Sequence, residues 1–112
     1  MLKKTIEYVD YNGVERKEDF YFNLSKAEVT EMELSVDGGL ANMLEQIVNS
    51  KDNKRIVELF KKIILKAYGE KSPDGRRFMK SEEISQAFAE TEAYSELFIA
   101  LAMNAEEAAK FI

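Results

Sequence analysis

The groups in this chain that could do chemistry are carboxylates, 21 in all, and several stand in close pairs: Glu31/Glu33, Glu82/Glu83, Glu90/Glu92 and Glu106/Glu107. Two carboxyls can act as acid and base on a glycosidic bond if they face each other across a pocket and burial raises one pKa. Most of these pairs instead fall on expected helix exteriors or in first helical turns, where negative charge suits the helix dipole. Capping accounts for them without catalysis. Ser81 and Ser95 are nucleophiles in type, yet the sequence holds no histidine and no cysteine to activate or replace them. The same absences remove thiolate chemistry, disulfides, Cys-rich zinc sites and the commonest transition-metal ligand. No window offers the alternating Asp or Asn ligands and closing Glu of a calcium loop. The residues point to a protein with no catalytic, cofactor or metal site, and not to an enzyme.

The remaining candidate for small-ligand chemistry is YGEKSPDGRRFMKSEE, residues 68–83, which holds the only proline, two of the five glycines and the Arg76-Arg77 pair. A phosphate-gripping loop of the Walker type needs two glycines bracketing four residues, then Lys and Ser or Thr, between a strand and a helix. Gly69 and Gly75 are too far apart, Arg76 stands where Lys belongs, and the segment follows a helical pattern. SPDG is ordinary turn chemistry: Pro73 presets φ, and Asp74-Gly75 completes the reversal. From Gly69 to Lys80 there are four basic residues against two acidic ones. Arg76, Arg77 and Lys80 are therefore candidates for meeting an acidic partner surface, and a solvated connector is the simpler reading.

Surplus apolar side chains suggest a different kind of function. In EAYSELFIALAM, residues 92–103, the stripe Tyr94, Leu97, Phe98 and Leu101 suits a core. Ile99 and Met103 do not belong to it; at 100° per residue they fall on the side of Glu92 and Glu96. A helix apolar over so much of its circumference is either central to a bundle or buried once and reused as a contact. Leu65 stands similarly off the stripe of its own helix. Leu65, Phe98, Ile99 and Met103, with Phe111 and Ile112, are the candidate partner-binding residues. Flexible methionine suits an adaptable apolar contact.

These residues need elements to hold them. A chain of 112 residues, 46% hydrophobic and 33% charged, suits one globular domain over 1–112 with a real core. Residues 1–24 read as a β-hairpin with a two-residue type I′ turn at Asn12-Gly13. That turn pairs Val9 with Arg16, Thr5 with Phe20 and, unfavourably, Glu7 with Glu18. It also directs Val9, Tyr11, Val14, Phe20 and Phe22 to one packing face. Residues 25–112 read as helical. Ser25 and Glu28 form a capping box for a helix to about Leu34. Asp37 can cap a second, striped by Leu40, Met43, Leu44, Ile47 and Val48. Residues 53–68 carry the stripe Ile56, Leu59, Phe60, Ile63, Ile64 and Ala67, with Gly69 as the stop. Ser81 caps the next, 92–103 follow after Thr91, and Asn104 with Glu107 opens the last. The expected architecture is α+β: an N-terminal β-hairpin packed on a mostly α-helical bundle of about five or six helices. No apolar run suits a signal peptide or a bilayer span, so a cytosolic, soluble protein is expected. The net charge of −5 disfavours a nucleic-acid regulator working through Arg76, Arg77 and Lys80.

Two stretches, EDFYFNLSKAEVTEMELSVDGGL and FKKIILKAYGEKSPDGRRFMKSEEISQAFAETEAYSELF, resemble the small tail assembly chaperones of long-tailed phages and prophages of Gram-positive bacteria. LKAYGEKSPDGRRF is the most specific part, and the two stretches with their spacing cover most of the chain. The resemblance implies a non-enzymatic protein of the host bacterial cytoplasm that is not expected in the mature virion. It would bind the long, helical, hydrophobic tape measure protein and keep it soluble until tube subunits polymerise around it. The resemblance further implies self-association, and contact with the tail tube protein through a longer form made by ribosomal frameshifting, of which an ending at Phe111-Ile112 would be the short form. It brings no catalytic residues. The alternative within the same biology is a structural subunit of the tail, a connector or tube component.

Overall fold

The protein is described here from a computed structural model, which describes residues 1–35, 38, 39, 41, 42, 45, 46, 49 and 53–103. In chain order the elements are strands β1 (Leu2–Val9) and β2 (Glu15–Phe22), helices α1 (Lys26–Leu34) and α2 (Asn53–Ala67), strands β3 (Tyr68–Lys71) and β4 (Phe78–Met79), and helices α3 (Glu82–Ala89) and α4 (Glu92–Met103). The strands form one antiparallel sheet in the order β1-β2-β3-β4. The class is α+β and the N-terminal hairpin is present. The expectation of five or six helices is corrected to four among the described residues, and the sheet has four strands where two were expected. The stripe expected for a second helix and the last expected helix, 104–112, lie outside the described residues.

The hairpin register also differs from expectation, by one residue. Val9 faces Glu15, Glu7 faces Lys17 and Ile6 faces Glu18. The cause is the turn. Gly13 N–H donates to the Asp10 carbonyl at 2.9 Å, and Gly13 takes a φ of +80°. This is a type I turn closed by a left-handed glycine, one residue longer than the type I′ form. The Asp10 carboxylate stabilises it by accepting the N–H groups of Asn12 at 2.9 Å and Val14 at 3.0 Å. A one-residue shift turns a strand's side chains over. Phe20 and Phe22 still face the core, whereas Val9, Tyr11 and Val14, expected to pack, are exposed. The shift also replaces the like-charge Glu7/Glu18 pair with Glu7 opposite Lys17, whose charges lie 3.6 Å apart.

The second hairpin arises inside the stretch that reads as helical. The helical stripe ends at Ala67, whose carbonyl accepts Asn23 N–H at 2.8 Å, and the chain continues straight into β3 alongside β2. Gly69 is not a helix stop. It sits in the strand, and a Cβ there would lie 2.6 Å from the Phe78 ring and 2.9 Å from the Met79 carbonyl oxygen. Glycine is needed because β4 approaches so closely.

Helix caps follow the sequence. Ser25 and Glu28 form both bonds of the capping box, and Ser81 Oγ accepts Ile84 N–H at 3.0 Å. Thr91 separates α3 from α4: its hydroxyl donates to the Phe88 carbonyl at 2.7 Å and accepts Tyr94 N–H at 3.2 Å. Helices and sheet enclose a core of Ile6, Phe22, Ile63, Ile64, Ala67, Tyr68, Phe88, Ala93, Leu97 and Leu101. Tyr68 and Phe88 stack at its centre with ring centroids 4.1 Å apart, and Phe20 and Phe22 lean on the stack. Such a pair adds about 0.5–1.5 kcal/mol beyond the area it buries. Among the described residues no helix is long and apolar enough to cross a membrane.

Candidate functional site

Helix α4 is the element with an unused face. Its inner side buries Ala93, Leu97 and Leu101. Tyr94 meets the Phe88 ring at 5.8 Å and the Phe98 ring at 6.0 Å, so Phe98 is half-buried against the core. On the other side Ile99 is 56% exposed and Met103 84% exposed. Glu92, Glu96, Ile99 and Met103 follow one another at helical spacing, so acids and apolar groups share one outer face about 17 Å long.

This face adjoins the first hairpin. The helix packs on β1, and the Tyr11 hydroxyl donates to Glu92 at 2.9 Å, a bond that holds the tyrosine proton above its ordinary pKa. Between hairpin and helix lies an open cleft of ≈590 Å³, lined by Glu7, Tyr8, Val9, Glu15, Arg16, Lys17 and Glu96. Both of its cations are engaged. Arg16 bonds Asp10 at 2.6 Å and reaches Glu18 at 3.4 Å, and Lys17 is with Glu7. The Tyr8 hydroxyl donates to Glu18. Glu15 and Glu96 are exposed, and the carboxylate of neither makes an ion pair or hydrogen bond among the described residues.

Leu65 lies apart from this face. It packs partly against the core and lines a groove with Glu82, Glu83, Ser85 and Gln86, where Ser85 Oγ donates to its carbonyl at 3.0 Å. Phe111 and Ile112 lie outside the described residues. The structure thus brings Phe98, Ile99 and Met103 onto one helix and places Leu65 elsewhere.

The basic stretch becomes the β3–β4 turn. Gly75 N–H donates to the Ser72 carbonyl at 2.9 Å, and Gly75 has a φ of +73°. The Asp74 carboxylate accepts the Ser72 hydroxyl at 2.6 Å and Arg76 N–H at 3.0 Å. These bonds hold its pKa below the ordinary value, the serine contributing most. Arg76 and Arg77 project as exposed side chains. Lys80 does not. Its ammonium donates to the Asn23 carbonyl at 2.6 Å and to both oxygens of Glu28 at 2.8 Å, joining the foot of β4 to the start of α1. Burial alone would raise the Glu28 pKa, and the bonds from Lys80 and Ser25 outweigh it and lower the value.

A family model described as phage tail assembly chaperone matches residues 1–112. The chain belongs to that family. Comparison with curated proteins and with solved structures returned no match. In this tail assembly chaperone, sequence reasoning placed the surplus of α4 correctly on the Glu92/Glu96 side, because helical periodicity needs no tertiary information. It missed Val9, Tyr11 and Val14 as exposed groups, and Glu15 as part of a cleft. The one signal that could have found them was the Asp three residues before the turn glycine, which favours the longer turn.

Proposed function

We propose that this tail assembly chaperone binds apolar helical segments of a tape measure protein and keeps them soluble during tail morphogenesis, without catalysis. The outer face of α4 carries the reading: Ile99 and Met103 offer apolar area to solvent on a helix whose other side is already buried. A helical client would lie along that face in the helix-in-groove manner, with Phe98 at its border. Phe111 and Ile112 would extend the contact, Leu65 would offer a separate one from its own groove, and copies bound along one long client would gain by avidity. The reading places the protein in the host cytoplasm and not in the finished particle. It leaves contact with the tail tube protein to a longer, frameshifted form.

Co-expression with the tape measure protein of the same tail gene cluster tests it. The client's soluble yield should rise and the two should co-purify. Ile99→Asp with Met103→Asp should abolish both effects while changing the chaperone's own stability by less than about 0.5 kcal/mol, as for exposed positions generally. If the double substitution unfolds the chain, or client yield is indifferent to the chaperone, the reading fails. Detection of the protein in purified virions by mass spectrometry would instead favour a structural tail subunit.

A further inference from the structure

The exposed surface of α4 does not end at the helix. Glu96 lines the cleft against the first hairpin and stands one helical turn from both Glu92 and Ile99, so the cleft opens onto the face that carries Ile99 and Met103. On the hairpin side the cleft is lined by Val9, whose side chain is exposed, as is that of Val14 at the adjoining turn. Apolar area therefore stands on both sides of the cleft, and charge stands within it. Three acids line it, Glu7, Glu15 and Glu96, against the cations Arg16 and Lys17. Each cation is already held by a carboxylate, Arg16 by Asp10 at 2.6 Å and Lys17 by Glu7 at 3.6 Å. The carboxylates of Glu15 and Glu96 have no such partner among the described residues. Acids lining a concavity focus the field there, which draws cations in and turns anions away.

We propose that the segment this chaperone takes is a basic amphipathic helix. Its apolar stripe lies on Ile99, Met103 and Val9, and Lys or Arg side chains beside the stripe enter the cleft to meet Glu15 and Glu96. The inference rests on the client reading above and names the chemistry of the client. Charge complementarity selects this occupant. A helix without charge would cover both carboxylates and leave them desolvated with nothing to bond, at a cost in free energy. An acidic helix would be repelled outright. Lys and Arg suit the site in a second way: their stems are apolar, so they can run over Val9 while the charged head reaches a carboxylate. A guanidinium can also bond a carboxylate through two parallel N–H groups. The net charge of −5 adds attraction at longer range and speeds the encounter with a cationic segment.

Fluorescence anisotropy with the full chain tests the inference. The probe is an amphipathic helical peptide of about 20 residues, a leucine stripe flanked by lysines, and its twin carries glutamate at every lysine. At low salt the lysine peptide should bind at least about tenfold tighter than the twin, and most of the difference should vanish in about 0.5 M salt. Glu15→Lys with Glu96→Lys should erase or invert the preference. Glu58→Lys with Glu70→Lys makes the same change in net charge at exposed positions that do not line the cleft, and should keep the preference within about threefold. Circular dichroism confirms that each variant is folded, and Glu15→Gln with Glu96→Gln serves where the reversed pair is not. Ile99→Asp with Met103→Asp should weaken both peptides alike, which separates the apolar contact from the charge. The charge inference is overturned, and the client reading stands, if the wild type co-purifies with the tape measure protein yet binds both peptides equally or neither. The same holds if the preference survives reversal at the cleft, or is lost as fully in the control pair. Absence of co-purification overturns both.

Discussion

At residues 10–13 and again at 72–75 the backbone reverses through a turn whose fourth residue is a glycine, with φ of +80° and +73°. In both turns a carboxylate, Asp10 or Asp74, accepts backbone N–H groups ahead of it. The hairpins they close are otherwise unlike. The first pairs eight residues with eight, and the second pairs two with two. A two-residue ladder cannot stand in water by itself. What holds the second is at its foot: the Phe78 ring on Gly69, the Tyr68 ring on Phe88, and Lys80 reaching to Glu28 and Asn23. The lesson is that one local turn serves two kinds of strand, one sustained by its own length and one by what surrounds it.

The comparison can be broken most severely at the core both hairpins share. Phe22 is 2% exposed and pairs with Tyr68 across β2 and β3. Phe22→Ala should destabilise the protein by about 3–5 kcal/mol, read from chemical denaturation. A loss below about 1 kcal/mol would mean the two hairpins do not share that core.

Next comes a change aimed at the second hairpin alone. Gly69→Val drives a side chain into the Phe78 ring and should cost about 1–3 kcal/mol, with loss of amide protection at 70 and 79 but not in β1. Uniform loss along all four strands would show that the short hairpin is not a separate unit.

The turns themselves should behave alike. Nothing lies within 4 Å of a Cβ built on Gly13 or Gly75, so alanine at either meets only the backbone penalty of a positive φ. Gly13→Ala and Gly75→Ala should each lower stability by about 1–2 kcal/mol, and by similar amounts. A large difference between them would reveal a contact that only one turn makes.

The smallest effect separates the two aspartates. Both pKa values lie below the ordinary 3.8, Asp10 chiefly through the Arg16 guanidinium and Asp74 chiefly through the Ser72 hydroxyl. Each lowered value means stabilisation that is present above the ordinary carboxylate pKa and lost as pH falls through the folded one. Salt should move the Asp10 titration upward toward its ordinary position and leave that of Asp74 nearly still, because only the first depends on a charge. Carboxyl carbon shifts followed by NMR at two salt concentrations would show it. Equal salt responses would mean that Arg16 does not set the Asp10 value.

How far the sequence could be read depended on the distance over which each feature is decided. Ser25 with Glu28, Ser81 and the stripe of α2 involve residues a few positions apart; both caps stand in the structure as read, and of the stripe Leu59, Ile63, Ile64 and Ala67 join the core while Ile56 and Phe60 are half-buried outside it. The exposure of Ile99 and Met103 was likewise visible from spacing alone. Strand β4 was not visible, because its two residues pair only after Gly69 admits the Phe78 ring. Nor was the engagement of Lys80, which in sequence looks like a third cation beside Arg76 and Arg77 but is bound 52 positions away by Glu28.

The sequence by itself determined an α+β chain with a long first hairpin, capped helices, a C-terminal helix richer in apolar groups than one core can use, and the likeness that places it among tail assembly chaperones. Only the tertiary structure decided the hairpin register, the second hairpin and which distant charges pair, as Lys80 does with Glu28. The division has a physical cause. Caps, turns and periodic stripes are satisfied within one or two turns of chain, whereas strand pairing and ion pairing are chosen among distant partners by what the core leaves within reach.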